Sequence, residues 1–267
     1  MEGVVFDKNG NSIGKMKVPD ILTECKINET TIKKAFLADL TKTFQIHYPD
    51  PLAGTKKSVF WTKRRRRWKT AYRGDTSRTP AKSTWHSGNF WIRIGAFAPQ
   101  TVGGREAHPP TPNKSIEKKI NKKEKKKAIL MCLSASLNKE LVSKYHKIKD
   151  LNLPIILDDS IQEISKTQEM KELLEKIGLK EELERINQVK ISSTKGKYRG
   201  RKYKKKAPLI LITLDNSSTL KKVAKNLNVK VVAGGHLSLL DLTHAGSPGR
   251  LILWTKSALE NLPIWMK

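Results

Sequence analysis

The sequence predicts an α/β fold, a mostly parallel sheet flanked by helices, with a long extended internal loop. Three observations carry that prediction. Beyond residue 150, short aliphatic runs alternate with helical apolar periodicity, the pattern of strand-helix-strand units. Residues 50–114 show neither period and are rich in Gly, Pro, Thr, Arg and Trp. Charge is partitioned just as sharply: residues 51–127 hold 21 Lys+Arg against 4 Asp+Glu, and residues 195–206 hold 8 Lys+Arg and no acid. Of the formal net charge of +28, only +3 is left for the other 178 residues. A near-neutral body with two intensely basic segments implies a polyanionic partner.

Each element follows from local pattern. Residues 4–6 and 13–18 read as strands around Asp7, Lys8, Asn9 and Gly10, where Asn-Gly signals a hairpin turn. Ile32, Ala35, Phe36, Leu40 and Phe44 recur at helical spacing and predict an amphipathic helix ending before Pro49. The stretch 50–114 is too long for an ordinary loop in a compact domain, so it is functional or unstructured in isolation. Two extended arms of about 30 residues, at about 3.3 Å each, would project several tens of Å.

Periodicity resumes at Asn121 to Glu124, a capping-box pattern, followed by Ala128, Met131, Cys132 and Ala135 on one helical face. Residues 154–157 read as a buried strand ending at Asp158 and Asp159. Met170, Leu173, Leu174 and Ile177 mark a helix stopped by Gly178, and a short helix follows at about 180–187. After the basic run come a strand at 209–214, a helix bearing Leu220, Val223, Ala224 and Leu227, and a strand at 229–232: a βαβ unit with a right-handed crossover. Residues 251–254 supply a further strand and 257–262 a last helix, and no internal repeat is present.

The 267 residues, 37% apolar, suffice for a real core. Cys25 and Cys132, far apart in sequence, form neither a disulfide framework nor a zinc ribbon, which fits a reducing, intracellular setting. The first 14 residues lack the basic and apolar regions of a secretory signal. The longest apolar run, 209–214, is far short of the roughly 20 residues that span a bilayer, so a soluble chain without a membrane partner is expected.

For catalysis the sequence offers little. It has no GxGxxG, GxxxxGK[ST] or GxSxG, and Gly234, Gly235 and His236 read as a plain turn. Asp158 and Asp159 could hold a metal at a strand end, but capping of the following helix is the simpler role. His47, His86, His108, His146, His236 and His244 show no paired ligand spacing. No catalytic residue, metal or cofactor is predicted.

The binding signal is stronger. Lys56, Lys57, Trp61, Lys63, Arg64, Arg65, Arg66, Arg67, Trp68, Lys69, Tyr72, Arg73, Arg78, Lys82, Trp85, Trp91, Arg93 and Arg105 mix cations with planar rings. Guanidinium groups pair with phosphates and rings stack on unpaired bases, the requirements of irregular RNA; a solvated basic tail is usually poor in Trp. Lys195, Lys197, Arg199, Arg201, Lys202 and Lys204 form a second basic cluster, with Gly196, Tyr198, Gly200 and Tyr203 interspersed. Alone it also reads as a solvated charge run or a nuclear-import-like address. Two other readings stay open. One is an RNA-processing or RNA-modifying enzyme using Asp158, Asp159 and His236, with the basic stretch as a substrate arm. The other is a general nucleic-acid compaction protein.

Several boxes, in order, carry a resemblance. Residues 102–110 read Val-Gly-Gly-Arg-Glu-Ala-His-Pro-Pro and 120–124 read Ile-Asn-Lys-Lys-Glu; Asp158 and Asp159 follow their strand; 196–203 read Gly-Lys-Tyr-Arg-Gly-Arg-Lys-Tyr; and Gly249, Arg250 and Leu251 lead through Trp254 and Thr255 to Ser257, Ala258 and Leu259. Over essentially its whole length the chain resembles the archaeal and eukaryotic branch of the L-four family of large-subunit ribosomal proteins. The resemblance implies a non-catalytic structural constituent of the large ribosomal subunit in the cytoplasm. It also implies binding of large-subunit ribosomal RNA, support of assembly, and contact with neighbouring ribosomal proteins.

The internal loop, residues 51–114, would thread through RNA and line part of the peptide exit tunnel near the nascent chain. It would lie between an N-terminal part of the body (1–50) and the remainder (115–267), which carries the basic box at 195–206. Arg105 and His108 fall in the matched segment, and Arg199, Arg201 and Lys202 in the basic box. The resemblance puts the tunnel-facing tip near Arg73 to Arg93. Where the family tends to a Gly-Arg-Gly-like tip, this chain has Trp-His-Ser-Gly-Asn-Phe-Trp at 85–91, which suggests more stacking and fewer phosphate contacts.

Overall fold

The computed structural model describes residues 1–46, 48–59, 79–88, 90–111, 113–148, 151–214 and 217–262, with the backbone alone at Phe90 and Trp91. An N-terminal hairpin, β1 (Glu2–Phe6) and β2 (Ser12–Lys17), turns through Gly10 at φ +83°. A short α1 (Asp20–Thr23) precedes α2 (Glu29–Lys42), which is capped by Asn28, whose Oδ1 accepts from the amides of Thr30 and Thr31 at 3.0 and 3.3 Å. The helix buries Ile32, Ala35 and Ala38. It stops before Phe44, which is exposed, so the periodicity overran its end. The amide of Thr43 bonds back to Leu40 and that of Phe44 to Thr41, tightening the last turn and closing the helix.

Next along the chain are β3 (Ala81–Ser87) and β4 (Phe90–Gly95), then α3 (Lys122–Ala135), α4 (Lys139–Ser143), β5 (Ile155–Leu157), α5 (Thr167–Lys176) and α6 (Lys180–Asn187). The remainder comprises β6 (Lys190–Ile191), β7 (Tyr203–Lys204), β8 (Leu209–Thr213), α7 (Ser218–Asn226), β9 (Val229–Ala233), α8 (Leu239–Leu242), β10 (Ile252–Thr255) and α9 (Lys256–Glu260).

Six strands form one sheet in the order β2-β1-β5-β10-β8-β9, with β1 and β2 antiparallel and every other neighbour parallel. The α/β class and mostly parallel sheet therefore stand. Both faces are covered, which is why β8 is buried at every position. Ile210, Ile212 and Trp254 enter a core with Ile32, Leu133 and Leu259; Leu209, Leu211 and Leu253 enter the opposite core with Leu173, Leu183 and Leu220. Each large aliphatic side chain so buried contributes roughly 2 kcal/mol.

The capping box at 121–124 does not form. Asn121 occupies the N-cap of α3 but its side chain accepts no cap bond, while Glu124 turns to Lys34 on α2, 3.3 Å away. An ion pair between helices has taken the place of a local side chain-to-backbone hydrogen bond. Lys125 likewise bonds buried Asp39 at 2.7 Å, so part of the charge counted with residues 51–127 serves helix packing.

The chain divides into two compact units, residues 45–116 and the α/β body formed by the rest. The smaller unit contains regular structure that its residue pattern does not announce. Strands β3 and β4 pair antiparallel, Ala81 opposite Gly95 and Trp85 opposite Ile92, with an irregularity between Ser83 and Trp85 that masks the two-residue alternation. In the same unit Gly54 and Gly104 meet backbone to backbone. A Cβ on Gly54 would strike the Gly104 carbonyl, and one on Gly104 would strike that of Ala98. The Gly-Gly-Arg segment is thus a packing device: Arg105 N donates to Phe97 O at 3.2 Å, and Lys57 Nζ to Gly103 O at 2.9 Å.

Candidate nucleic-acid interface

Residues 190–204 fold into a small lobe on the body. At its root Lys190 pairs with Lys204 and Ile191 with Tyr203, and Ser192 N donates to Lys202 O at 2.8 Å. A 3-10 turn, Lys195–Arg199, ends at Gly200 in the left-handed conformation (φ +76°), and Arg201 N returns to Gly196 O at 3.0 Å. The glycine carries the reversal that brings Arg201 back beside the turn.

This closure presents Lys195, Lys197, Arg199, Arg201, Lys202 and Lys204 to solvent together. Among the described residues none of them has a carboxylate partner. Tyr198 is 86% exposed and Tyr203 59%, and Lys197 and Lys202 set their ammonium groups 5.8 and 5.4 Å from the respective ring centres. Two like charges about 8 Å apart repel by roughly 0.5 kcal/mol in water, so six on one lobe hold a standing repulsion that a polyanion relieves.

The lobe is moored by a buried ionic cluster that sequence reasoning missed. His146 and Glu182 have fully buried side chains, with His146 Nδ1 2.7 Å from Glu182 Oε1. Arg185 donates through Nε (2.8 Å) and Nη2 (2.7 Å) to the same carboxylate, which also accepts from Lys147 N at 2.9 Å. Arg185 Nη2 then reaches Ala207 O, 2.8 Å away, where the chain leaves the lobe for β8. Burial alone would raise the pKa of Glu182; the bonds from Arg185 and His146 outweigh it and hold the carboxyl at about 2. Burial pushes His146 below the ordinary histidine value in spite of Glu182. At neutral pH the cluster is a carboxylate-guanidinium pair with a neutral imidazole. The legible signal was Glu182 on the apolar face of α6, between Leu179 and Ile186.

In the smaller unit, Lys82, Arg93 and Arg105 are half-buried, and Trp85 and His108 are exposed. Lys56 pairs with Asp50, and Trp91 is a β4 residue. Trp61, Lys63, Arg64 to Arg67, Trp68, Lys69, Tyr72, Arg73 and Arg78 lie outside the described residues, as does part of the segment expected to form the tip. Within 85–91, Ser87 pairs with Phe90 and His86 with Trp91 across β3 and β4.

The two aspartates suspected of catalysis have structural employment. Asp158 caps the 3-10 turn after β5 through Ser160 N, and Asp159 Oδ1 accepts from Ser257 N and Oγ at 3.2 and 2.5 Å. Asp159 thereby anchors the start of α9 to the turn that follows β5. His236 is exposed in a turn after β9. Among the described residues no three His, Cys, Asp or Glu side chains cluster to hold a metal, and no helix is long and apolar enough to cross a membrane.

An α/β body whose buried ionic groups brace its own structure, and whose surplus cations face solvent with rings among them, defines a structural protein built around a basic surface. Comparison with known proteins makes this specific. The model of the ribosomal protein L4/L1 family matches residues 16–263. Similar proteins include one from Methanocaldococcus jannaschii, 36% identical over 98% of this chain and 98% of its own, and one from Nanoarchaeum equitans, 35% identical over 98% and 97%. A third, from Sulfurisphaera tokodaii, is 36% identical over 97% of this chain and 92% of its own. All three are named large ribosomal subunit protein uL4. The chain belongs to the ribosomal protein L4/L1 family.

Proposed function

We propose that this protein is a structural constituent of the large ribosomal subunit, in the cytoplasm, and that it binds large-subunit ribosomal RNA and supports assembly. The basic lobe is the observation that carries the RNA reading: six exposed cations and two exposed tyrosines on a backbone closed by its own hydrogen bonds. Phosphates would sit among the cations and unstacked bases on the rings. The stretch 51–114, with its Arg and Trp content, would be the second RNA contact, running toward the exit tunnel and the nascent chain. Trp85 and Ile92, paired across β3 and β4 and both exposed, offer it a stacking surface.

Sucrose-gradient sedimentation of native lysate, before and after a high-salt wash, tests this, with a chain lacking residues 60–105 in parallel. The intact protein should remain with the large subunit through the wash, and the shortened one should dissociate or arrest assembly. Sedimentation of both chains free of ribosomes would overturn the reading. Shedding of both together as salt rises would reduce it to a peripheral electrostatic contact.

A further inference from the structure

A second charged surface lies away from the lobe's tip and differs from it in chemistry. Where β8 and β9 begin, the C-terminal part of α6 and one flank of α7 enclose a groove of about 460 Å³. Its floor is aliphatic: Ile186, Val189, Pro208, Val229 and Val231. Its rim is made of Lys205, Lys206, Lys221, Lys225 and Lys230, and among the described residues no acidic one lines it. Lys206 is tethered to Gln188 (3.0 Å) and Lys230 to Asp241, whereas Lys205, Lys221 and Lys225 have no carboxylate partner among the described residues. Val189 is 49% exposed, and β9 is the terminal strand of the sheet.

We infer that this groove docks a segment of another protein in which acidic and aliphatic residues alternate. Charge complementarity requires an anionic occupant, and the floor decides which kind. Among the described residues the lining has no aromatic ring and no arginine, so a nucleotide would find neither a stacking plane nor a bidentate phosphate fork there. The lobe supplies rings and arginines, and the groove supplies neither. An extended peptide fits both features: alternate side chains point to opposite sides, so aliphatic ones meet the floor while carboxylates reach the lysines. Burying those aliphatic side chains gives affinity, and the unpartnered lysines select against basic segments. This inference does not depend on the lobe binding RNA.

The test is fluorescence anisotropy with full-length protein at 0.15 M salt and three labelled probes: an octapeptide alternating Glu and Val, one alternating Glu and Ser, and a 12-nucleotide oligouridylate. The Glu-Val peptide should saturate and bind at least about tenfold tighter than the Glu-Ser peptide. Lys221→Glu with Lys225→Glu, both on the exposed flank of α7, should weaken the Glu-Val peptide by about tenfold or more and the RNA by less than about threefold. Arg199→Ala with Arg201→Ala should show the opposite selectivity. A Glu-Val peptide that fails to saturate, or binds no better than Glu-Ser, overturns the inference. So does a lysine double variant that costs the RNA as much as the peptide, because the groove would then be part of an RNA footprint. Failure of the wild-type chain to bind RNA, with peptide binding intact, would instead count against the RNA reading alone.

Discussion

Glu182 is a carboxylate fully buried from solvent, and its charge is stabilised by three neighbours, His146, Lys147 and Arg185. Removing that charge while keeping its shape leaves Arg185, nearly as buried, with no counter-ion. Glu182→Gln should therefore cost about 3 kcal/mol or more in urea unfolding, and loosen the chain at Ala207. The same cluster sets an acid sensitivity. Glu182 has a folded pKa of about 2, below its ordinary 4.5, so its contribution is present above pH 4.5 and is lost as pH falls toward 2. His146 is also depressed, so its contribution is complete above pH 6.5 and fades as pH falls through its lowered folded value. The melting temperature should decline from pH 7 to pH 3, and Glu182→Gln should flatten the part below pH 4.5. An unchanged pH profile in that variant would show that other carboxylates govern acid unfolding. Gly104 makes a sharper steric prediction: with no room for a Cβ, Gly104→Ala should speed hydrogen exchange at the Arg105 amide by about tenfold or more.

At the scale of elements, the lobe separates what charge does from what geometry does. Arg199→Ala and Arg201→Ala should each weaken binding to a ribosomal RNA fragment. Each should also flatten the salt dependence, by roughly 0.7 to 0.9 for every phosphate no longer neutralised. Arg-to-Lys changes should restore the slope but only part of the affinity, because lysine lacks the planar fork. Equal affinity across all these variants would remove the lobe from the interface. The lobe's chemistry was legible as composition, but its shape was not, because two-residue strands and a 3-10 turn carry no periodicity. Elements with long apolar patterns were readable: β8, α7 and β9 fall where the alternation of aliphatic runs and helical spacing put them. The hairpin β3–β4 was hidden by its irregularity between Ser83 and Trp85, which breaks the two-residue alternation. The capping box failed because Lys34, 90 residues away in sequence, competes for Glu124. Long-range partners of that kind, like His146 for Glu182, have no local signature.

For the molecule as a whole, the division between 178 residues of nearly balanced charge and two segments carrying +25, whose cations on the lobe face solvent, predicts that salt acts on binding and on folding very differently. If the cations are spread through the body, their mutual repulsion weakens the fold, and screening it should raise the melting temperature steeply. If they are segregated, the fold is almost indifferent to salt while contacts with a polyanion are not. Among the described residues every α-helix lies in the body, so circular dichroism of the helical signal reports on that part. Between 0.05 and 0.2 M KCl the helical melting temperature should move by no more than about 3 °C, because the cations packed between helices, Lys34 and Lys125, are paired with Glu124 and Asp39, while those of the lobe face solvent, where water already weakens their repulsion. Over the same range the affinity for ribosomal RNA should fall by about 10³ to 10⁵, as expected for six to ten phosphate contacts. A chain lacking residues 60–78, which hold 8 Lys+Arg and one acid, should keep the melting curve while its salt slope becomes much shallower. A melting temperature that climbs with salt as steeply as affinity falls would mean that the repulsion among these cations is not confined to the solvent-facing lobe but strains the helical core, and that RNA offsets it there.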